Sequence, residues 1–189
     1  NPLGLAEFTL SRKDPAYVGR AKEVQVAEKA IEAGNCPSQA FPEVKPIMDT
    51  IKTKFTISRD VMGIGSTIFA VKPGDGSARE YAASCQKVLG GLANICIEYA
   101  TKRYRSNCVN WGILPFTNPD KEIVLEPGEY VYLPGIRKAV EEGATKVTAT
   151  VIGTDGSTRP MELELKNVTE AEKKVLLAGS LINFYKEEK

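Results

Sequence analysis

The sequence contains no histidine in its 189 residues. Ser-His-Asp and Cys-His nucleophile systems and His-based metal sites are therefore excluded within this chain. Paired cysteine ligands are missing too. Cys36, Cys85, Cys96 and Cys108 stand far apart with no C-x-x-C, the spacing on which zinc and iron–sulfur sites are built. Reduced, mostly buried thiols of a cytosolic protein are the expectation. An excess of charge of one sign is also lacking, since 25 Lys+Arg face 24 Asp+Glu. No global field draws such a protein to nucleic acid or to an anionic membrane. No apolar run approaches the ~20 residues that span a bilayer, and residues 1–13 carry no signal-peptide pattern. The composition therefore predicts a soluble, cytoplasmic single domain over residues 1–189, large enough to bury a core without disulfides or metal.

What is present centres on Lys72-Pro73-Gly74-Asp75-Gly76-Ser77-Ala78-Arg79-Glu80, which joins an apolar, strand-like stretch at residues 67–71 to a helix-like one. Two glycines permit a tight, close-approaching backbone. The following helix opens with unpaired N–H groups, and Ser77 and Arg79 add a hydroxyl and a guanidinium fork suited to a carboxylate. In a cleft those groups could stabilise a serine alkoxide, a base that needs no histidine. A structural alternative stands beside this. Ser77-Ala78-Arg79-Glu80 also fits the S-x-x-E capping box, with Ser77 as N-cap and Glu80 bonding back.

Along the chain, Asp14-Pro15 starts a helix that Gly34 stops, and a second short helix is expected over residues 44–54. Strand 67–71, the helix after Ser77 and an apolar strand at 93–97 predict a right-handed βαβ unit, its ligand site at the carboxyl end of the first strand. Tyr81, Ala82, Cys85, Val88 and Leu89 form the inward stripe of that helix. Another helix is predicted over 101–110 and strands at 123–125, 130–133, 146–152 and 160–165, the last two joined as a hairpin through Thr154-Asp155-Gly156-Ser157. Thr169 with Glu172 predicts a capping box for a final helix to about residue 185, so the sequon at Asn167 reads as incidental.

The ordered series Gly76-Ser77-Ala78-Arg79-Glu80, Leu89-Gly90-Gly91, Tyr99-Ala100 through Ser106-Asn107, and Gly112-Ile113-Leu114-Pro115-Phe116 resembles the swivelling C-terminal domain of the aconitase superfamily. There the pattern runs roughly G-S-S-R-E-x-A, L-G-G, F-A with a following N, and G-L/I-L-P. Leu125-Glu126-Pro127-Gly128-Glu129, Thr154-Asp155-Gly156-Ser157 and Leu177-Ala178-Gly179-Ser180-Leu181-Ile182 are similar to the domain's closing section, so the resemblance covers about residues 64–184. The opening, Glu7 to Pro15, is nearer to bacterial aconitase-like hydratases.

The resemblance implies an α/β fold, a three-layer β/β/α swivelling domain also like the small subunit of isopropylmalate isomerase. It implies a hydro-lyase that reversibly dehydrates or isomerises a hydroxy polycarboxylic acid. Ser77 matches the serine that removes a proton as alkoxide, and Arg79 the arginine that holds a carboxylate. Ser77, Ala78 and Arg79 together match the substrate-binding turn. A [4Fe–4S] cluster, bound by other domains and not by this chain, serves the family as a Lewis acid. The implied partners are the N-terminal cluster-binding domains, on the same chain or on a large subunit, and a small hydroxy acid. Two departures stand out: Ala78 replaces a second serine, and the T-D-H-I-like strand with its substrate arginine does not precede Asn1. The chain therefore reads as the C-terminal piece of a larger hydratase, expected to be inactive alone. The alternative is a non-catalytic module of the same fold that binds carboxylate, phosphate or RNA, the last through Lys102, Arg103 and Arg105 among Tyr99, Tyr104 and Trp111.

Overall fold

The computed structural model describes residues 1–12, 14–55, 62–77 and 79–187. Cap chemistry sets the first helices. Asn1 accepts from the Gly4 amide at 3.1 Å and starts α1 (Pro2–Ser11), which has no clear apolar period and buries only Ala6. Asp14 caps α2 (Pro15–Glu32) through the Tyr17 amide at 3.0 Å, as the Asp-Pro start predicts, and α2 buries Val18, Ala21 and Ala27. The short α3 (Pro37–Ala40) leads to α4 (Lys45–Lys54), whose Ile47, Met48 and Ile51 are buried.

The strand–helix–strand reading holds. β1 (Ser66–Ala70), α5 (Glu80–Val88), β2 (Gly91–Cys96), α6 (Lys102–Asn110) and β3 (Leu114–Thr117) form the parallel set β1-β2-β3. From Ala93 to Cys96 β2 is buried on both faces, its one polar residue there, Asn94, included. Ala93 and Ile95 enter the main core, while Asn94 meets Tyr104 and Cys108 of α6. The second half, β4 (Tyr130–Tyr132), α7 (Ile136–Glu141), β5 (Lys146–Ile152) and β6 (Thr158–Glu164), is antiparallel. The strand order is β1-β2-β3-β6-β5-β4, and among the described residues the strands of the two halves pair at Thr117 and Glu164. One core spans them, with Ile95 and Phe116 from the parallel half and Ala149, Val151, Met161 and Leu163 from the other. The chain is thus a mixed α/β domain on one six-stranded sheet.

Two elements depart from expectation. Residues 123–125 form no strand, because the Val124 carbonyl accepts from Arg159 Nη2 at 3.2 Å rather than from a neighbouring strand. Arg159 also grips both carboxylate oxygens of Glu129, fixing this segment as a side-chain-tied loop. The final helix is two, α8 (Glu170–Leu177) and α9 (Leu181–Glu187), broken at Gly179 with φ +80°.

Candidate active site

Residues 72–77 follow the carboxyl end of β1, and the start of α6 fastens them there at Pro73 and Gly74. The Ala100 amide donates to the Pro73 carbonyl at 2.9 Å, and Thr101 Oγ1 donates to the Gly74 carbonyl at 3.1 Å. Thr101 is at the same time the N-cap of α6, accepting from the Tyr104 amide at 3.2 Å. Gly74, at φ +92°, lies so close to Tyr104 that a Cβ would meet the tyrosine Cβ at 2.5 Å, so glycine is required here for both conformation and space. Tyr104 is itself held from below, its hydroxyl accepting from Asn94 Nδ2 at 3.1 Å. Lys72 Nζ pairs with Glu98 Oε1 at 2.5 Å across the two neighbouring loops. That pairing raises the Lys72 pKa and lowers that of Glu98.

The capping-box alternative does not form. α5 starts at Glu80, not within the Ser77 turn, and its N-cap is Arg79 in the left-handed region at φ +54° with no side-chain cap bond. Glu80 does not bond back toward Ser77; its Oε1 accepts from the indole Nε1–H of Trp111 at 2.8 Å. Ser77 is exposed, and no side-chain hydrogen bond holds it among the described residues. Arg79 folds back over the turn, Nε donating to the Asp75 carbonyl, with Nη2 where a Gly76 Cβ would fall. The Gly76 amide is held by Asp75 Oδ1 at 2.8 Å. An exposed serine, a guanidinium and an uncapped helix start thus share one turn, an arrangement suited to an anion. Ala78, matched to the same turn, lies outside the described residues. Val71 and Tyr81, 67% and 77% exposed, flank it. Tyr81, expected inward, points out; the buried positions of α5 are Ala83, Cys85 and Gln86.

A cavity of about 430 Å³, lined by none of residues 72–77, 79 and 80, opens at the carboxyl ends of β2 and β3. Its charged walls are largely paired within the chain. Lys166 pairs with Glu164 at 2.5 Å, Arg105 with Glu172 at 3.0 Å, and Glu98 with Lys72. The basic and aromatic cluster on α6 is in part committed within the chain. Tyr104 is 5% exposed and packs on Tyr99 with ring centroids 6.0 Å apart, and Arg105 is spent on Glu172 and the carbonyls of Lys166 and Asn167.

The cysteines do not form a ligand set. Cys85, Cys96 and Cys108 are buried, and burial pushes the Cys96 and Cys108 thiols up to about 12 and about 11. Among the described residues, no three Cys, Asp or Glu side chains are grouped to hold a metal ion. No helix among them is long and apolar enough to cross a membrane. Thr101 and Trp111, which brace the turn, carried no separate signal in the sequence, because their partners lie 27 and 31 positions away.

No protein-family model matches the chain. It is similar to aconitate hydratase A of Rickettsia felis, 32% identical over 122 residues, covering 62% of this chain and 14% of the relative. Aconitate hydratase A of Rickettsia bellii is 30% identical over 127 residues, covering 65% of this chain and 14% of the relative. The chain therefore spans about one-seventh of the length of the curated relatives it matches. Among solved structures, a 3-isopropylmalate dehydratase of Methanocaldococcus jannaschii aligns with a TM-score of 0.42 and 21% identity, over 69% of this chain and 68% of that one. Over 62–65% of its length the chain is thus similar to aconitate hydratases, which supports a place in the aconitase superfamily.

Proposed function

We propose that this chain is the swivel-type domain of an iron–sulfur-dependent hydro-lyase acting on a hydroxy polycarboxylic acid, with Ser77 as the base and Arg79 as the carboxylate holder. The observation that carries the reading is the Ser77 hydroxyl. It stands exposed in the turn after β1, without a side-chain hydrogen bond among the described residues, two residues from a guanidinium and beside an uncapped helix start, rather than being consumed as a cap. Its similarity to aconitate hydratases over 62–65% of its length supports the reaction class. The buried, separated thiols do not fit the family's [4Fe–4S] cluster, so the cluster is assigned to another part of the full protein and no step is derived through it.

In this reading the guanidinium of Arg79 receives a substrate carboxylate through its Nη groups while Nε stays on the Asp75 carbonyl. The same cation and the first-turn N–H groups of α5 lower the cost of charge on Ser77 Oγ. The alkoxide takes the proton from the carbon beside that carboxylate, and the C–H electron pair passes into the new C=C bond as the hydroxyl on the neighbouring carbon departs as hydroxide. The partners are the cluster-binding domains and a small hydroxy acid, and the isolated domain is inactive.

The test uses the cluster-loaded full protein and a panel of hydroxy polycarboxylates, following formation of the unsaturated acid by absorbance. Turnover of at least one member is expected, with none by the 189-residue chain alone. No turnover of any member, together with tight polycarboxylate binding by the isolated chain, would replace this reading with a non-catalytic binding module.

A further inference from the structure

The Ser77 turn is braced from one side by a single helix, and the far end of that brace is Trp111, the chain's only tryptophan. Resting on the proposed function, we infer that Trp111, acting through Glu80, is a positioning residue that holds Arg79 and Ser77 in their working geometry.

The argument starts from Arg79. A non-glycine residue at φ +54° sits in a sparsely populated region and persists only where its surroundings fix it. On its chain-forward side, the Arg79 carbonyl accepts from the Ala82 and Ala83 amides at 3.2 and 3.4 Å, so its conformation is tied to the exact start of α5. Glu80 is the residue that sets this start. Its carboxylate does not serve the helix but reaches to Trp111 Nε1 at 2.8 Å. Were the Trp111 bond lost, α5 would no longer be held to start at Glu80, and its start would slide toward Ser77, whose hydroxyl can cap it. That slide would turn the Ser77 hydroxyl inward as a cap and remove Arg79 from its left-handed position.

Trp111 is suited to the task because its own backbone has little freedom. Its amide closes α6 on the carbonyls of Asn107 and Cys108 at 3.1 and 3.2 Å. The next residue, Gly112, has φ +65° and lies so close to the break between α8 and α9 that a Cβ would fall on the Gly179 carbonyl oxygen. The indole ring rests against the buried group of Ala83, Tyr104, Cys108 and Ile113. Trp111 is therefore a fixed donor anchored in the core and aimed at the first residue of α5. The Thr101 and Tyr104 contacts fix the turn at Gly74 in the same way. The Trp111 bond fixes its other end, so the two reactive side chains lie between two clamps from one helix.

The experiment compares Trp111→Phe, which keeps an aromatic ring but removes the donor, with Glu80→Ala and Glu80→Gln, the last retaining an accepting Oε1. In the cluster-loaded full protein, Trp111→Phe and Glu80→Ala are each expected to lower kcat about tenfold, the scale of one lost charge-assisted hydrogen bond. KM should change little, the double variant should be no worse than either single one, and Glu80→Gln should restore most of the rate. In the 189-residue chain, amide exchange of residues 74–80 should quicken in the first two variants, with β2 and β3 unchanged. Independent, multiplicative losses in the double variant, or wild-type kcat in Trp111→Phe, would overturn the inference while leaving the base assignment intact. If the parent enzyme turns over no hydroxy acid, the proposed function fails. The exchange data then decide the inference alone: unaltered exchange at residues 74–80 refutes it, and selective quickening upholds it.

Discussion

Two neighbouring glycines give opposite predictions, and the difference comes from what each one touches. Gly74→Ala and Gly76→Ala both place a side chain at positive φ, +92° and +102°, which costs roughly 1–3 kcal/mol for either. At Gly74 the new Cβ meets the Tyr104 side chain at 2.5 Å. That ring cannot yield, since its hydroxyl is bonded to Asn94 and α6 is capped by Thr101 beside it. Overpacking of this kind adds roughly 1–3 kcal/mol, so Gly74→Ala should destabilise by about 2–6 kcal/mol in total. At Gly76 the obstacle is the end of the flexible Arg79 side chain. It can swing away, leaving only the conformational cost, but it then abandons the Asp75 carbonyl. Urea unfolding of the two variants measures the first effect, and turnover of the full protein carrying them measures the second. Gly74→Ala should lose the larger share of stability, and Gly76→Ala should lose activity out of proportion to its stability. Equal unfolding midpoints for the two variants would refute the assignment of Tyr104 as a rigid neighbour.

Other outcomes follow from the same contacts. Ser77→Ala should leave stability within about 0.5 kcal/mol, because Ser77 caps nothing, whereas Thr169→Ala, which removes a true capping box, should cost ~1 kcal/mol by urea unfolding. Gly112→Ala, with no room against the Gly179 carbonyl, should destabilise more than Gly34→Ala, whose surroundings are open; similar losses would contradict the packing of the α8–α9 break on α6. Thiol labelling at pH 8 should modify Cys36 quickly and Cys85, Cys96 and Cys108 only on unfolding. Burial raises Cys96 from 9.0 to about 12, so the folded thiol stays protonated while the unfolded one ionises. Stability should therefore fall as pH rises from about 9 toward 12, the range in which the unfolded state binds fewer protons; a flat unfolding profile there would contradict the burial.

Local rules made part of this molecule legible. The Asp14-Pro15 start, the Thr169 box, the hairpin at residues 153–157 and the parallel β1-α5-β2 unit all arise from interactions a few residues apart or from periodic burial. The misread parts were decided by distant partners. Residues 123–125 lost their strand to Arg159, 35 positions from Val124. The Ser77-Ala78-Arg79-Glu80 letters suit a capping box, yet Trp111 takes Glu80 from 31 positions away and the helix begins later. That later start also turns Tyr81 outward. α7 has only six residues, too few to establish a period. The order of motifs along residues 76–116 carried the resemblance, while the braces on the turn required the fold.

The central claim is that Ser77 removes a proton, and exchange of substrate hydrogen with solvent in the cluster-loaded full protein measures that step directly. In Ser77→Ala the exchange and the turnover should collapse together while the hydroxy acid still binds with nearly unchanged affinity. Exchange at the wild-type rate in Ser77→Ala would contradict the account.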